Sequence, residues 1–272
     1  MKILIFGAKG YIGRLFLSAY PGAVCPDADI ADPEAVSEAL DAHHPDIVIN
    51  CAGKTGRPNV DWCEDHKEET LRSNVTGPLV LLDACGKRGI YWAHIGSGCI
   101  YEGDAKHPFT EQDPPNFTGS FYSKTKAWSD QILQNFPVLL LRIRMPFDAT
   151  KDPRNLLMKI SKYQRVLDVE NSLTYLPDFL SAAKTLIAMR KVGPYNIVNR
   201  GTISPYRIME MYKQTVDPSC SFTRLTVEDL KNVTKAPRSN CVLSTLKLER
   251  EGIPIRPVED AVSEALKALK TQ

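Results

Sequence analysis

The chain lacks a long apolar run, a paired-cysteine motif, an excess of charge of one sign, and any internal repeat or low-complexity tract. Each absence removes a class of function. The opening MKILIFG is too short an apolar stretch for a signal peptide or a membrane span. Seven cysteines are scattered without a CxxC pair, so neither a disulfide framework nor a zinc site is indicated, and no other metal is called for. Reduced thiols in a cytosolic compartment are the expectation. The 34 basic and 32 acidic residues are interspersed and leave a formal charge of +2, which gives no support to nucleic-acid binding. What remains is a soluble, cytoplasmic globular protein with no membrane and no nucleic-acid partner.

What is present is an ordinary 43% of hydrophobic residues in 272, long enough for one large α/β domain with a smaller lobe. Lys2 to Phe6 reads as a strand, residues 33–42 as a helix with Asp32 as N-cap and Pro33 behind it. Residues 46–50 (DIVIN) form a buried strand, 68–88 a helix closed by Gly89, and 91–95 the next strand. Residues 122–135 read as a helix and 138–143 as a continuous apolar strand, as expected when both faces of a sheet are covered. Strands alternating with helices predict an α/β fold with a doubly wound parallel sheet. The pattern then loosens. Helices over 153–163, 177–190, 205–213 and 257–270 and a strand over 195–198 are predicted. Residues 1–146 are expected to bind a dinucleotide. Residues 147–272 are expected to form mainly a small C-terminal substrate-binding lobe, with some segments returning to the sheet.

Gly7, Gly10 and Gly13 follow a strand and open a helix. That context lets backbone approach a pyrophosphate at a helix N-terminus. Lys9, Tyr11 and Ile12 lie within the loop, and the ends of later strands at Ala52-Gly53 and Gly96-Ser97 would border the same cofactor. The second strand is reduced to the stretch around Val24, with no acidic residue evident to hold a ribose 2′-hydroxyl. Lys9 and Arg14 tilt the cofactor toward NADPH, with NADH possible, unless both are simply solvated surface charges. Asp29 and Ile30 are candidates for the adenine end, against the alternative of plain loop residues.

Tyr122 and Lys126 stand four apart and share one helix face. A lysine ammonium beside a phenol favours the phenolate, which suits proton donation at a carbonyl being reduced. Ser97 ends the strand before them, in the order a Ser-Tyr-Lys reductase site needs. Cys99 lies two residues beyond; in extended backbone its side chain points the same way as that of Ser97. Asn74 is either part of a proton relay or a polar helix residue. Lys124 is offset from the Tyr122 face, toward solvent or the cofactor rim.

Together Gly7 to Gly13, NVDWCE (59–64), GCIYE (98–102), PNFTGSFYSKTK (115–126), RMP (144–146), PRN (153–155) and APRSN (236–240) resemble the bifunctional nucleotide-rhamnose synthase/epimerase-reductases. These belong to the extended short-chain dehydrogenases and are similar to dTDP-4-dehydrorhamnose reductase. The resemblance covers nearly the whole chain and implies a Rossmann fold and a nucleotide-linked (UDP or dTDP) 4-keto-6-deoxyglucose substrate. It implies 3,5-epimerisation by a cysteine and a lysine, matching Cys99 and Lys159, with Lys162 one turn from the latter. NADPH-dependent 4-reduction would follow at Ser97, Tyr122 and Lys126. Asn155 and Arg238 would contact substrate, the latter at the nucleotide end. Phe121 and Trp62 either line the sugar pocket or pack in the core. A homodimer is expected, with the substrate supplied by a separate 4,6-dehydratase, since the chain starts at the glycine loop. The segment between Cys99 and Phe117 is shorter than in the plant enzymes. Two other readings stay open: a reductase acting on sugar already epimerised, and a non-catalytic NADP-binding regulatory subunit.

Overall fold

Short apolar runs build the central sheet in a computed structural model that describes residues 1–271. In chain order the first elements are β1 (Ile3–Phe6), α1 (Tyr11–Ala19), α2 (Pro33–His43), β2 (Ile47–Asn50), α3 (Trp62–Asp65), α4 (Lys67–Leu71), α5 (Gly77–Lys87), β3 (Tyr91–Ser97), α6 (Phe121–Leu133) and β4 (Val138–Ile143). There follow α7 (Leu156–Ile160), β5 (Arg165–Leu167), α8 (Leu176–Ala188), β6 (Gly193–Asn196), α9 (Pro205–Thr215), β7 (Thr223–Leu225), α10 (Val227–Leu230), α11 (Leu246–Arg250) and α12 (Val258–Lys270). The main sheet has the order β1-β2-β3-β4-β6, with β1–β2 and β2–β3 parallel. This mostly parallel sheet with flanking helices is the α/β class the alternation of elements predicts. Every residue of β1, β2 and β4 is buried, which is why these strands read as mainly apolar runs, with Asn50 and Arg142 as buried polar exceptions.

The chain divides into two compact units. The first holds residues 1–100, 114–142 and 183–195. Its core includes Leu4, Phe6, Leu40, Val48, Leu81 and Leu140, all essentially inaccessible to water. The second holds residues 101–113, 143–182 and the chain from 196 onward. Here α12 packs on α9, and Phe147, Leu157, Ile208, Met209, Val262 and Leu266 form the core. Burying each such side chain contributes about 1.5–3 kcal/mol. No helix among the described residues is long and apolar enough to cross a membrane.

Local chemistry sets several boundaries. Asp32 caps α2 as predicted, its carboxylate accepting from the N–H groups of Glu34 and Ala35. Asp32→Ala is expected to lower stability by about 1 kcal/mol, read as a shifted denaturation midpoint with unchanged slope. The second strand is indeed reduced: Val24 exchanges hydrogen bonds with the β1 backbone and goes no further.

Three predicted elements change beyond small shifts at their ends. The single helix predicted over 68–88 is α4, a π-helical turn (Arg72–Thr76) and α5. Pro78 has no N–H for the α-helical ladder, and widening the preceding turn absorbs that gap. The helix predicted over 153–163 contracts to α7, because Asn155 turns its side chain to cap Leu157 N–H. The strand predicted over 195–198 lies at Gly193–Asn196.

Candidate active site

The glycine loop is shaped by two close approaches. Gly7 adopts φ +74°, and a Cβ there would lie 2.4 Å from the backbone nitrogen of Ala52. A Cβ on Gly13 would lie 2.2 Å from the carbonyl oxygen of Gly7. No larger residue fits at either position without moving backbone. The turn is closed by Gly10 N–H donating to Gly7 O at 2.9 Å, and α1 starts beyond it with no side chain capping its N-terminus. The result is a bare cradle of backbone N–H groups suited to a diphosphate, bordered by the Ala52-Gly53 strand end.

Around this loop the charges are arranged differently from the sequence expectation. Lys9 is not an unengaged cation: its Nζ pairs with Asp27 Oδ1 at 2.9 Å, both side chains almost fully exposed. Asp27 follows the Val24 stretch by three residues, so an acidic group does stand beside the loop, contrary to the reading that none follows the second strand. Arg14 is exposed. Asp29 accepts from Ala31 N–H and from the Arg72 guanidinium, while Ile30 is buried against Gly77.

The catalytic candidates of the first unit come together at the end of β3. Ser120 caps α6 through Ser123 N–H, and Glu64 accepts from Phe121 N–H at 2.6 Å, which fixes where the helix begins. That start places Tyr122 and Lys126 on the buried face. Tyr122 O–H donates to Ser97 Oγ at 3.4 Å, and Lys126 Nζ donates to Ile95 O at 2.9 Å. Burial drives the Lys126 amine down to about 8, with Asp130 and Cys99 pulling the other way. Asp130, one turn along, is engaged by the buried Arg142 guanidinium at 2.6 Å, which weakens its hold on Lys126.

Cys99 departs from expectation. β3 ends at Ser97, and Gly98–Ile100 forms a 3₁₀ turn, so Cys99 is not on extended backbone. Its N–H donates to Ser97 Oγ at 3.1 Å, and its side chain is half-buried. The turn, rather than strand alternation, keeps it next to Ser97.

Asn74 sits in the π-helical turn and acts as a clamp. Its Oδ1 accepts from Lys54 N–H at 2.8 Å; its Nδ2 donates to Lys54 O and to Thr125 Oγ1 on α6. It thus ties the segment after Gly53 to α6. Trp62 stacks on His66 with centroids 3.8 Å apart, under the Lys54 ammonium, and Phe121 meets Trp128 edge to face. Lys124 is exposed, in keeping with its offset position.

Two residues of this cluster carry no local sequence motif. Asn50 and His94 are fully buried partners across β2 and β3, with Asn50 Nδ2 3.0 Å from His94 Nδ1 and His94 Nε2 3.4 Å from Lys126 Nζ. Their only signal is a polar side chain interrupting an apolar strand.

The second unit holds the other three candidates. Lys159 lies on α7, half-buried, and burial lowers its amine against the pull of Asp152; Lys162 lies past the helix end and is exposed. Asn155 is fully buried, its amide donating to Asp148 and Thr150 and its oxygen accepting from Leu157 N–H, so its observed task is to hold the turn into α7. Arg238 is half-buried, with Nη1 donating to Ala236 O. The neighbouring Ser239 is anchored by Arg144, which Asn171 also engages.

The whole length matches one family: the RmlD substrate binding domain aligns with residues 1–271. The chain belongs to the RmlD family. Among its relatives, a bifunctional dTDP-4-dehydrorhamnose 3,5-epimerase/dTDP-4-dehydrorhamnose reductase of Arabidopsis thaliana is 39% identical over 278 residues, 96% of this chain and 91% of that protein. The crystal structure of the L780 UDP-rhamnose synthase from Acanthamoeba polyphaga mimivirus superposes with TM-score 0.93 at 31% identity, covering 98% of this chain and 99% of that one. The dTDP-4-dehydrorhamnose reductase of Bacillus anthracis, solved in complex with NADP, shares the fold at TM-score 0.82 and 18% identity over 98% of this chain and 96% of its own. This RmlD-family chain therefore groups with enzymes of the dTDP-4-dehydrorhamnose reductase type.

Proposed function

We propose that this RmlD-family protein is a bifunctional enzyme that epimerises a nucleotide-linked (UDP or dTDP) 4-keto-6-deoxyglucose at C3 and C5, then reduces C4 to give a nucleotide-β-L-rhamnose. The observation that carries this reading is Cys99 held by the turn that ends β3 next to Ser97, whose Oγ also meets the Tyr122 hydroxyl, and within electrostatic reach of Lys126. A 4-keto group acidifies the protons at C3 and C5. A base removes each as an enolate forms and an acid returns it on the opposite face, work assigned here to Cys99 and Lys159. A lysine with a lowered pKa exchanges protons more readily near neutrality than an ordinary one.

For the reduction, Gly7, Gly10, Gly13, Ala52 and Gly53 would hold NADPH, which supplies the hydride for C4. Ser97 holds the carbonyl oxygen and Tyr122 gives it a proton, with Lys126 one turn below orienting the ribose and the phenol. Asn74 keeps the cofactor-side loop in register with α6, and Arg238 takes the nucleotide end. Substrate would come from a 4,6-dehydratase. A homodimer is supported by the exposed Trp128, Ile132 and Phe136 at and just beyond α6.

The deciding experiment is product analysis by NMR after incubating the chain with UDP-4-keto-6-deoxyglucose and NADPH in deuterated water. A rhamnose nucleotide carrying deuterium at C3 and C5 is expected. A reduced product with protium retained at both carbons sinks the epimerase and leaves a reductase alone.

Cofactor choice has its own prediction. Asp27 both neutralises Lys9 and repels a 2′-phosphate, and exposed ion pairs are weak enough to be exchanged. Asp27→Ala is expected to lower KM for NADPH by about two- to fivefold while NADH changes little. Equal changes for both cofactors would rule out this role.

A further inference from the structure

One buried chain of polar groups is left over from the mechanism above, and it ends on a catalytic side chain. Ala52 N–H donates to Asn50 Oδ1 at 3.0 Å. That bond fixes which way the amide faces, because the reverse orientation would set N–H against N–H. Asn50 Nδ2 must then donate to His94 Nδ1, 3.0 Å away. Burial holds the imidazole well below its usual range, with the Lys126 charge adding to the effect, so the ring is neutral. A neutral imidazole that accepts at Nδ1 carries its proton on Nε2. That N–H faces Lys126 Nζ at 3.4 Å. Against an ammonium this is donor facing donor; against an amine it is a hydrogen bond.

We propose that His94, oriented by Asn50, is a positioning residue that presents an N–H to the Lys126 amine and keeps it ready to exchange a proton with Tyr122 during reduction. The inference rests on the reductase reading for its purpose, though not for its geometry. When Tyr122 gives its proton to the oxygen at C4, the tyrosinate takes one from the Lys126 ammonium. The amine left behind is the form that His94 Nε2–H stabilises, and a solvent proton restores the ammonium after turnover. His94 itself neither gains nor loses a proton.

The other groups facing Lys126 do not duplicate this effect. On its own helix Asp130 is engaged by Arg142 from β4, and Tyr122 lies one turn back. From β3 the Ile95 carbonyl accepts from Nζ, and the following turn contributes Cys99. Asp130 and Cys99 both favour the ammonium. Burial favours the amine, and the His94 Nε2–H proposed here acts in the same direction.

The test is an NMR titration of the full chain labelled with ¹³Cε-lysine, without substrate, the Lys126 signal being assigned by its loss in Lys126→Arg. The wild-type midpoint is expected at about 8. His94→Gln retains an N–H donor at the Nε2 position and should titrate within about half a unit of wild type, whereas His94→Leu should titrate at least about one unit higher. Asn50→Asp is nearly isosteric. Its carboxylate takes His94 Nδ1–H, turns Nε2 into an acceptor, and should also raise the midpoint by about a unit or more. An unchanged midpoint in His94→Leu, or equal rises in the Gln and Leu variants, overturns the proposal. If the Leu variant does not fold, an unchanged midpoint in Asn50→Asp overturns it. The basic limb of the reductase pH profile should move with these midpoints. Because the titration needs no turnover, a chain inactive on 4-keto sugar nucleotides would refute the proposed function and leave this result standing.

Discussion

Tyr122→Phe is expected to cut the rate of 4-keto reduction by about 10²- to 10⁴-fold, the usual worth of a positioned general acid. That range equals about 3–5 kcal/mol of transition-state stabilisation. The loss should fall on kcat, because in the proposed mechanism the phenol proton is needed only as charge develops on the C4 oxygen, while the glycine cradle that would hold the cofactor is untouched. Folding should change little: the 3.4 Å contact of the hydroxyl with Ser97 Oγ is long and worth at most about 1 kcal/mol. A second readout separates the two chemistries. In the proposed mechanism epimerisation does not use Tyr122, so the variant should still wash deuterium into C3 and C5 of the unreduced 4-keto sugar. Steady-state NADPH oxidation alongside NMR of the sugar checks both halves. Wild-type reduction by Tyr122→Phe would remove this tyrosine from the mechanism.

How much of this site the sequence discloses follows from the range of the contacts that build it. Gly7, Gly10 and Gly13 are legible because a strand–turn–helix unit is local, and the close approach of Gly13 to Gly7 is contained within it. Tyr122 and Lys126 are legible because helical spacing puts them on one face once Ser120 and Glu64 fix the helix start. The pairing of Asn50 with His94 depends instead on the register of two strands 44 residues apart, and nothing local encodes it. The Lys9–Asp27 pair is hidden for the same reason, since the strand bringing Asp27 back is only a bridge at Val24. Cys99 lies in a 3₁₀ turn and not on extended backbone, and an apolar run with small residues gives no sign of where pleating stops and such a turn begins. The break in the 68–88 helix had a visible cause in Pro78. Its consequence, a widened turn that aims Asn74 at both Lys54 and Thr125, needed the packing of α6 to appear.

Cys99→Ala should produce the mirror image of the tyrosine variant. With UDP-4-keto-6-deoxyglucose and NADPH in deuterated water, deuterium entry at C3 and C5 is expected to fall by about 10²-fold or more, the scale for removing an acid–base group. Reduction of a substrate already epimerised should stay within about threefold of wild type, because the Ser97, Tyr122 and Lys126 side chains remain. The structural cost is small: the side chain is half-buried, and the Cys99 bond to Ser97 Oγ comes from its backbone N–H, which alanine keeps. Lys159→Met should also suppress exchange while Lys162→Met, altering an exposed side chain past the end of α7, should not. The pattern across the variants carries the meaning. Loss of exchange in both Cys99→Ala and Lys159→Met with reduction retained assigns the two residues to one proton-transfer chemistry. Unchanged exchange in Cys99→Ala would make the thiol a wall of the pocket and return the chain to a reductase whose substrate is epimerised elsewhere.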